Sequence, residues 1–351
     1  MNTEQIFREA VAQEASDVFI VAGLPISFKI NGVIEQQSDT KLTAKDIEYM
    51  IKDVYGLALR DMEEFLKSGD DDFSFSLDRA GRFRVNAYKQ RGSYAMVVRV
   101  VRFTLPEASK LDIPDGVMEL YKKTKGLVLV TGPAGSGKST TLACILDQIN
   151  KTRKGHIITL EDPIEFIHKH NQSIVSQREI GIDTESYVKG LRSALREAPD
   201  VILLGEMRDF ETISIAMTAA ETGQLVFATL HTLGVAKTID RIIDVFPSNQ
   251  QQQIRVQLSM VLQGVVSQQL IPTSEGLMPA FEIMHANNAI RNMIRESKVH
   301  QLDAMMTSYA HEGMQTMDTS LMALYHKGVI SIDTVKFYSL NPEIICRKLE
   351  R

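Results

Sequence analysis

The stretch Gly132-Pro133-Ala134-Gly135-Ser136-Gly137-Lys138-Ser139-Thr140 matches the pattern G-x-x-x-x-G-K-[ST] of phosphate-binding loops. An apolar run at residues 126–131 precedes it, and that run predicts a buried strand. The glycines are therefore expected between a strand and a helix, the context in which this pattern binds phosphate. The helix is indicated by apolar residues that recur at helical spacing: Leu142, Ile145, Leu146 and Ile149.

The chemistry of phosphate binding requires this arrangement. Glycines let the backbone wrap around the phosphates, while successive N–H groups and the positive end of the helix point at the anion. Lys138 is placed to reach the β- and γ-phosphates, and the Ser139 hydroxyl is placed to join the coordination shell of Mg²⁺. The sequence therefore predicts a nucleotide-binding protein, with ATP and Mg²⁺ as ligands and residues 132–140 as the binding loop.

Composition and charge narrow the class of protein. The 351 residues suffice for two or three domains, and the net charge of −5 argues against a generally basic surface for nucleic acid. The sequence shows no signal-peptide pattern, and its longest uncharged stretch, 256–274, is too polar to span a bilayer. The two cysteines, Cys144 and Cys346, cannot build a disulfide framework or a four-cysteine zinc module. A cytoplasmic protein without a nucleic-acid partner is expected.

Strands and helices are predicted to alternate across the middle of the chain. Helical segments at 185–197 and 210–222 lie between short apolar runs. This alternation is typical of a doubly wound parallel sheet, in which ligands bind beyond the carboxyl ends of the strands. The four predicted strands are 127–130, 156–160, 201–204 and 225–229.

Polar residues cluster where these predicted strands end. Glu206 follows the third strand, and a carboxylate there can hold Mg²⁺ through water or activate the attacking water. Glu165, in the run Glu161-Asp162-Pro163-Ile164-Glu165 after the second strand, is the other candidate for the general base. His231 follows the fourth strand and is interpreted as a sensor of the γ-phosphate or as the cap of a turn. His168 and His170 have metal-ligand spacing but lack further ligands nearby.

The first hundred residues predict a sheet with helices on one side. Strands are expected near 18–21, 26–30, 72–77, 82–88 and 94–101, helices near 5–14, 43–54 and 57–67, and a tight hairpin turn at Asn31-Gly32. Alternation places Arg82 and Arg84 opposite Phe83 and Val85. Arg99 lies between two valines on one strand face, which suggests that it meets an anion or a carboxylate, although no nearby carboxylate is evident in the sequence.

Prolines and apolar patterns divide the rest of the chain into a linker, a nucleotide-binding domain and a C-terminal region. Two prolines mark a linker at 103–116, and the nucleotide-binding domain is predicted at 117–285. Its last helix is expected to carry one apolar face: Ile254, Leu258, Val261, Leu262 and Val265. Residues 286–351 are predicted to be mostly helical. In a helix at 289–302, Ile290, Met293, Ile294 and Ser297 should pack inward, while Arg291, Arg295, Glu296 and Lys298 stay free for a partner.

Several motifs in order resemble the type II and type IV secretion ATPase superfamily, and within it the retraction ATPases of type IV pili. Besides the phosphate loop, they are Arg82-Phe83-Arg84-Val85-Asn86 with Gln90-Arg91-Gly92, Thr159 to Phe166, Gly205-Glu206-Met207-Arg208-Asp209, Ala228-Thr229-Leu230-His231-Thr232 and Ala289 to Glu296. The resemblance covers nearly the whole chain. Assembly ATPases of the same superfamily are typically longer and carry a four-cysteine zinc module. Because this chain has only two cysteines, the resemblance favours a retraction ATPase.

The resemblance implies an α/β fold with an N-terminal PAS-like domain (1–102), a RecA-like P-loop domain and a helical C-terminal region. It also implies a homohexamer in which Arg84, Arg91 and Arg99 of the N-terminal domain close on the phosphates of bound ATP. Hydrolysis would then act on an inner-membrane platform protein, so that pilins leave the base of the fibre. The assembly ATPase or an accessory retraction ATPase is a further expected partner, with the protein peripheral at the inner face of the cytoplasmic membrane.

Three other functions compete with a retraction motor. An accessory retraction ATPase of the same branch shares the motifs. A RecA-like DNA translocase or helicase shares the motor core, but the acidic balance weighs against it. A module that binds ATP without turnover is opposed by Glu206, Glu165 and the arginines.

Overall fold

The alternating strands of the N-terminal part form a six-stranded antiparallel sheet with the order β3-β2-β1-β6-β5-β4. The computed structural model describes residues 2–78, 80–101, 105, 107–274, 276–343 and 345. They divide into two units, one made of residues up to 104 with 165–167 and the other of the remainder. In the first unit the strands are β1 Asp17–Val21, β2 Ser27–Ile30, β3 Val33–Gln36, β4 Asp70–Leu77, β5 Gly81–Gln90 and β6 Ser93–Val101, and the helices are α1 Thr3–Ala12, α2 Ala44–Leu57 and α3 Glu63–Ser68.

Helices cover one face of this sheet, as predicted. Phe83 and Val85 are fully buried in a core shared with all three helices, whereas Arg82 and Arg84 lie on the opposite face and stay partly exposed. The helix predicted at 57–67 is shorter than expected, because α3 begins only at Glu63. The prediction that alternate residues of this strand point to opposite faces of the sheet is thus confirmed. The face that the helices do not cover carries the arginines.

Two tight turns connect strands of this sheet. Asn31 and Gly32 have φ values of +49° and +83°, and they join β2 to β3 through the pair Ile30 and Val33. Both central residues of such a two-residue hairpin turn need positive φ, which explains the Asn-Gly dipeptide. The predicted hairpin is confirmed. Arg91 and Gly92, with φ values of +47° and +77°, form the same kind of turn between β5 and β6.

The second unit contains a seven-stranded sheet with the order β13-β12-β7-β11-β10-β8-β9. All neighbours pair in parallel except β12 and β13, which form an antiparallel hairpin. The strands are β7 Gly126–Thr131, β8 His156–Glu161, β9 Ile174–Glu179, β10 Val201–Leu204, β11 Leu225–Leu230, β12 Leu262–Thr273 and β13 Gly276–His285. The helices are α4 Asp115–Met118, α5 Lys138–Thr152, α6 Tyr187–Ala194, α7 Phe210–Glu221, α8 Val235–Asp244, α9 Gln251–Val261, α10 Asn288–Arg295, α11 Leu302–Ser308, α12 Met317–His326 and α13 Ile332–Tyr338.

Helices cover both faces of this sheet, which confirms the α/β architecture expected of a RecA-like core. Alternate residues of β7 belong to different cores. Leu127 and Leu129 pack with residues of α6 to α11, whereas Val128 and Val130 pack with residues of α5. The central strands are buried on both sides because each face meets a helical layer.

The helix predicted to run through Val265 ends earlier. Helix α9 stops at Val261, and Leu262 adopts extended dihedral angles and begins β12. Val265 is fully buried in β12, which pairs in parallel with β7. Apolar spacing over a short run does not distinguish a helix from a buried strand, which is why the sequence suggested a longer helix. Strands β3, β9 and β13 were also not predicted.

The finer domain boundaries stay predictions. Residues 103, 104 and 106 of the predicted linker, and residues 344 and 346–351 of the predicted helical region, lie outside the described residues. Of the described linker residues, 108–110 form a short 3₁₀ turn and Asp115 begins α4. Across the part of the chain that the structure describes, no helix is long and apolar enough to cross a lipid bilayer.

The segment 289–302 differs from the single helix that its periodicity predicted. Helix α10 ends at Arg295, so Ser297 lies beyond it, exposed and with a φ of +60°. Ile290 and Ile294 are fully buried, as expected. Arg291 is not free for a partner: its Nη1 donates to the carbonyl oxygens of Ser259 (2.7 Å) and Met260 (2.8 Å), the last turn of α9.

Replacement of Arg291 by alanine is expected to lower the free energy of unfolding by about 1.5–3 kcal/mol, since hydrogen bonds from a charged group to helix-end carbonyls are lost. Burial lowers the pKa of Arg291, consistent with a guanidinium drawn into the packing between α9 and α10. Arg295→Ala is the matched control because Arg295 is exposed on the same helix. Urea denaturation of both variants measures the difference, and equal stabilities would show that the two bonds contribute nothing.

Candidate nucleotide-binding site

The phosphate-loop motif occupies the turn between β7 and α5, as its flanking sequence predicts. Lys138, the first residue of α5, is only 8% exposed. Its Nζ donates to the carbonyl oxygens of Gly132 (2.8 Å) and Pro133 (3.0 Å), so the ammonium group lies inside its own loop. The first N–H groups of a helix have no partner within the helix and carry a partial positive charge. The loop thus concentrates positive charge beside the lysine.

Strand β12 supports the loop from one side through Gln268. A Cβ atom on Gly132 would lie 2.2 Å from the Gln268 carbonyl oxygen, and a Cβ on Gly137 would lie 2.9 Å from Gln268 Nε2. Both glycines also have positive φ, +143° and +87°. The Gln268 side chain is held by Thr141 Oγ1, which donates to its Oε1 at 2.8 Å. The glycines are therefore required by close packing as well as by backbone conformation.

The Ser136 hydroxyl in the same loop is a buried polar atom. Ser136 is 2% exposed, and within the described residues its Oγ has no hydrogen-bond partner. An unpaired buried hydroxyl costs free energy unless a ligand or water completes it. A phosphate oxygen is a suitable acceptor. The hydrogen-bond donors of the loop, the Ser136 hydroxyl among them, are therefore suited to bind a phosphate group.

A cavity of about 270 Å³ adjoins the loop at Gly137 and Thr140. Its other walls come from segments that the sequence did not connect with the site, namely the predicted linker and the β12–β13 hairpin: Leu111, Ile113, Gln268, Leu270, Leu277 and Pro279. Mostly apolar walls suit a flat heterocycle, as in many small-molecule sites. The only signal in the sequence was the apolar character of Leu111 and Ile113 within the predicted linker.

Glu206 and His231 come together at the carboxyl edge of the sheet. Glu206 Oε1 lies 3.3 Å from His231 Nε2, and Glu206 Oε2 lies 2.7 Å from Arg208 Nε. The ion pair with Glu206 raises the pKa of Arg208. Their strands, β11 and β10, lie side by side on one side of β7, the strand that leads into the phosphate loop, so β10 lies about 10 Å from β7 at the usual strand spacing.

Tyr187 on α6 joins the acidic residues at this edge and was not predicted from sequence. A Cβ on Gly205 would lie 2.7 Å from the Tyr187 hydroxyl. Burial raises the pKa of Tyr187, and the negative charges of Asp162, Glu206 and Glu161 raise it further. Tyr187 is therefore kept protonated as a hydrogen-bond donor among carboxylates.

The carboxylate of Glu161 is held in place within the sheet. Its Oε1 accepts from Thr159 Oγ1 at 2.6 Å and from Gln177 Nε2 at 3.2 Å. Asp162, the next residue, is exposed. Glu165 is also exposed, and its contacts group it with the N-terminal unit. Glu161 thus has a clear structural role in fixing the edge of the sheet.

The candidate arginines lie on the open face and the hairpin of the N-terminal sheet. Arg84 Nη2 lies 3.6 Å from Asp72 Oδ2. Of the two partners expected for Arg99, an anion or a carboxylate, the structure shows a carboxylate that was not evident in the sequence: Arg99 Nε lies 3.0 Å from Asp17 Oδ1, on the neighbouring strand. The Arg99 side chain is still 67% exposed, so the pair leaves part of the guanidinium open to solvent.

His168 and His170 serve different structural purposes. His168 is 8% exposed, and burial lowers its pKa to about 4, so it is neutral at physiological pH. His170 Nδ1 accepts a hydrogen bond from the backbone N–H of Val175 at 3.0 Å. Among the described residues no group of three or more His, Cys, Asp or Glu side chains could hold a metal ion by itself. A Mg²⁺ ion usually keeps several waters and takes phosphate oxygens, so one hydroxyl and one carboxylate are a fitting protein contribution.

Gln268→Ala is expected to weaken nucleotide binding about tenfold, because the loop loses a side chain that packs on Gly137 and the hydrogen bond to Thr141. Gln269→Ala is the neighbouring control, since Gln269 Nε2 donates to the Tyr338 carbonyl instead. Titration with a fluorescent ATP analogue measures both. Unchanged affinity in Gln268→Ala would remove this residue from the site.

Comparisons with known proteins show which sequences and solved structures this chain resembles. Residues 2–301 match the family model described as type II/IV secretion system protein. The chain is 44% identical to a Pseudomonas aeruginosa protein named type IV pilus retractation ATPase PilT, over 98% of this chain and 99% of that one. It is 38% identical to type IV pilus ATPase PilU of the same organism, over 95% of this chain and 87% of that one. A crystal structure of the pilus retraction motor PilT with bound ADP superposes with a TM-score of 0.90 at 45% identity, covering 99% of both chains.

Proposed function

Because this chain belongs to the type II/IV secretion system protein family, we propose that it is a Mg²⁺-dependent ATPase that drives the retraction of type IV pili. The observation that carries the proposal is the pairing of a complete phosphate loop with Glu206 and His231 at the same sheet edge. The 44% identity over nearly the whole chain to a protein named as a retraction ATPase supports the specific process.

In this proposal each residue has a defined part in hydrolysis. Lys138, Ser136 and the loop N–H groups hold the phosphates, and the apolar cavity beside Gly137 takes the base. Ser139 and Glu206 would hold Mg²⁺, the carboxylate through water, and the ion would supply positive charge that neutralises the phosphates.

Glu206 also orients the attacking water and accepts its proton, with Glu165 as the other candidate base. His231 contacts the γ-phosphate. Its contact with Glu206 would then link the state of the phosphate to the position of the base. Arg84, Arg91 and Arg99 supply positive charge to the phosphates, and such groups are worth about 10³–10⁵ in rate when correctly placed.

The proposed assembly is a homohexamer at the cytoplasmic face of the inner membrane. Domain motion driven by hydrolysis acts on a platform protein of the pilus machinery, so that pilins leave the fibre base. An assembly ATPase or an accessory retraction ATPase is a further partner. Residues 289–296, which resemble the retraction branch, take part in this coupling through Arg295 rather than Arg291, because Arg291 is bonded to α9.

The accessory retraction ATPase is the second candidate function. The identity to PilU is 38%, against 44% to PilT, which favours the principal motor. A DNA translocase is disfavoured by the net charge of −5.

Deletion of the gene in the cells that encode it tests the proposed process. The proposal expects cells that carry excess surface pili and do not move by twitching, because pili assemble but are not withdrawn. Counting pili by electron microscopy measures this. Bald cells would indicate an assembly ATPase, and normal twitching with normal pili would contradict a role as the principal retraction motor.

A further inference from the structure

A buried carboxylate far along the chain from the phosphate loop has one oxygen without a partner. Glu282 on β13 is 1% exposed. Its Oε1 accepts from the backbone N–H of Val235 at 3.1 Å. Its Oε2 is buried and makes no hydrogen bond within the described residues. Such an oxygen is costly in a folded protein and calls for a donor.

Glu282 lies in the wall of a cavity of about 410 Å³ that carries two further carboxylates. Asp303 Oδ2 accepts from Asn341 Nδ2 at 3.3 Å, and Asp318 Oδ1 accepts from Ser339 Oγ at 2.7 Å. The lining includes His300 but, as far as the structure describes it, no lysine or arginine. Three acids therefore share a cavity whose described lining contains no lysine or arginine to balance them.

The pKa shifts of the carboxylates in this cavity are those expected where no positive charge balances them. Burial raises the pKa of Glu282 to about 7, and the charges of Asp303 and Asp318 add to the shift. Burial also raises the pKa of Asp303. A cation in the cavity would reverse this pattern, because an opposite charge favours the ionised carboxylate.

We propose that this cavity binds an organic cation, a primary ammonium or guanidinium group that donates to Glu282 Oε2 and is balanced by Asp303 and Asp318. An organic group is favoured over a metal ion because, among the described residues, no set of three acids or histidines is arranged to hold a metal. The cavity volume also suits several non-hydrogen atoms rather than one ion. A free polyamine and the side chain of a partner's lysine or arginine share this chemistry.

The site touches the segment that follows His231. Glu282 Oε1 fixes Val235, the first residue of α8. The preceding residue, Gly234, donates its N–H to Ser267 Oγ at 2.9 Å. A Cβ on Gly234 would lie 3.1 Å from Leu340, which also lines the cavity. An occupant would therefore bond to the carboxylate that anchors the start of α8, four residues after His231.

Isothermal titration of the full-length protein with spermidine tests the site, at about 0.15 M salt to screen exposed charges. We expect saturable binding that Glu282→Gln and Asp303→Asn each weaken at least tenfold. Glutamine keeps the acceptor for Val235 while removing the charge. Asp333→Asn, an exposed acid on α13 outside the cavity, is the control and should bind as the wild type does. If Glu282→Gln does not fold, the Asp303 variant decides.

Further arms of the titration separate the sources of the cation. Acetyl-lysine methylamide and acetyl-arginine methylamide represent a partner's side chains, and tighter binding of either than of spermidine would identify a polypeptide. Affinity should increase from pH 6 to pH 8, because burial raises the pKa of Glu282 to about 7 and its carboxylate ionises over this range. The other titratable groups that line the cavity are His300, Asp303 and Asp318. Three results would overturn the proposal. The wild type and Glu282→Gln could bind spermidine equally well, or no probe could bind at all. Alternatively, Glu282→Gln could weaken the binding of Mg²⁺ and leave the binding of every organic cation unchanged.

Discussion

Lys138→Ala is expected to reduce the affinity for ATP at least about a hundredfold, because two or more charge-assisted hydrogen bonds worth about 1.5–3 kcal/mol each are lost. The ammonium group is buried inside the loop, 2.8 Å from the Gly132 carbonyl oxygen, where no other side chain of the motif carries positive charge. Isothermal titration with a slowly hydrolysed ATP analogue measures the change.

Lys151→Ala is the matched control for this variant. Lys151 lies at the opposite end of α5, exposed and paired with Asp147, so its loss should leave the affinity unchanged. Circular dichroism of both variants checks that α5 stays folded. Wild-type affinity in a folded Lys138→Ala variant would mean that the loop does not hold the phosphates.

Glu206→Gln is expected to bind Mg-ATP as the wild type does and to hydrolyse it about a hundredfold or more slowly, the usual cost of losing a positioned general base. Glutamine keeps the size of the side chain and one acceptor oxygen, which can face Arg208 or His231, but it cannot act as a base. Steady-state phosphate release at saturating ATP measures the rate.

The control for the base is Glu211→Gln. Glu211 lies in the first turn of α7 and pairs with Arg192 near the surface, so the rate should not change. A wild-type rate in Glu206→Gln would contradict the assignment, and Glu165→Gln would then be the variant to measure.

The sequence alone predicted the structure correctly where the contacts that determine it are between residues close together in the chain. Strand β7, the loop and α5 follow one another directly, so apolar periodicity and glycine spacing defined them. The same holds for the turn at Asn31 and Gly32, where positive φ at two neighbouring residues favours that dipeptide. Glu206 and His231 were predicted to share an edge because parallel strands bring their carboxyl ends together, and the structure places them 3.3 Å apart.

What the sequence did not reveal depends on contacts between distant residues. Gln268 reaches Thr141 across 127 positions, and Asp17 meets Arg99 across 82. Neither pair leaves a local pattern. Arg291 looked like a free surface charge because helical periodicity describes one helix at a time and does not show that α9 ends against it. The role of Glu282 was not predicted either, because the sequence shows only an acid within an apolar run. The cavity that this carboxylate lines is formed by residues distant in the sequence.

The coupling of hydrolysis at this sheet edge to pilus withdrawal is tested most directly by imaging labelled pili on living cells. The deletion strain would be complemented with the wild-type chain or with Glu206→Gln at equal expression. We expect extended pili to shorten in cells with the wild type, and to stay extended or shorten far more slowly with Glu206→Gln. Equal shortening rates in the two strains would contradict the claim that ATP hydrolysis by this protein drives retraction.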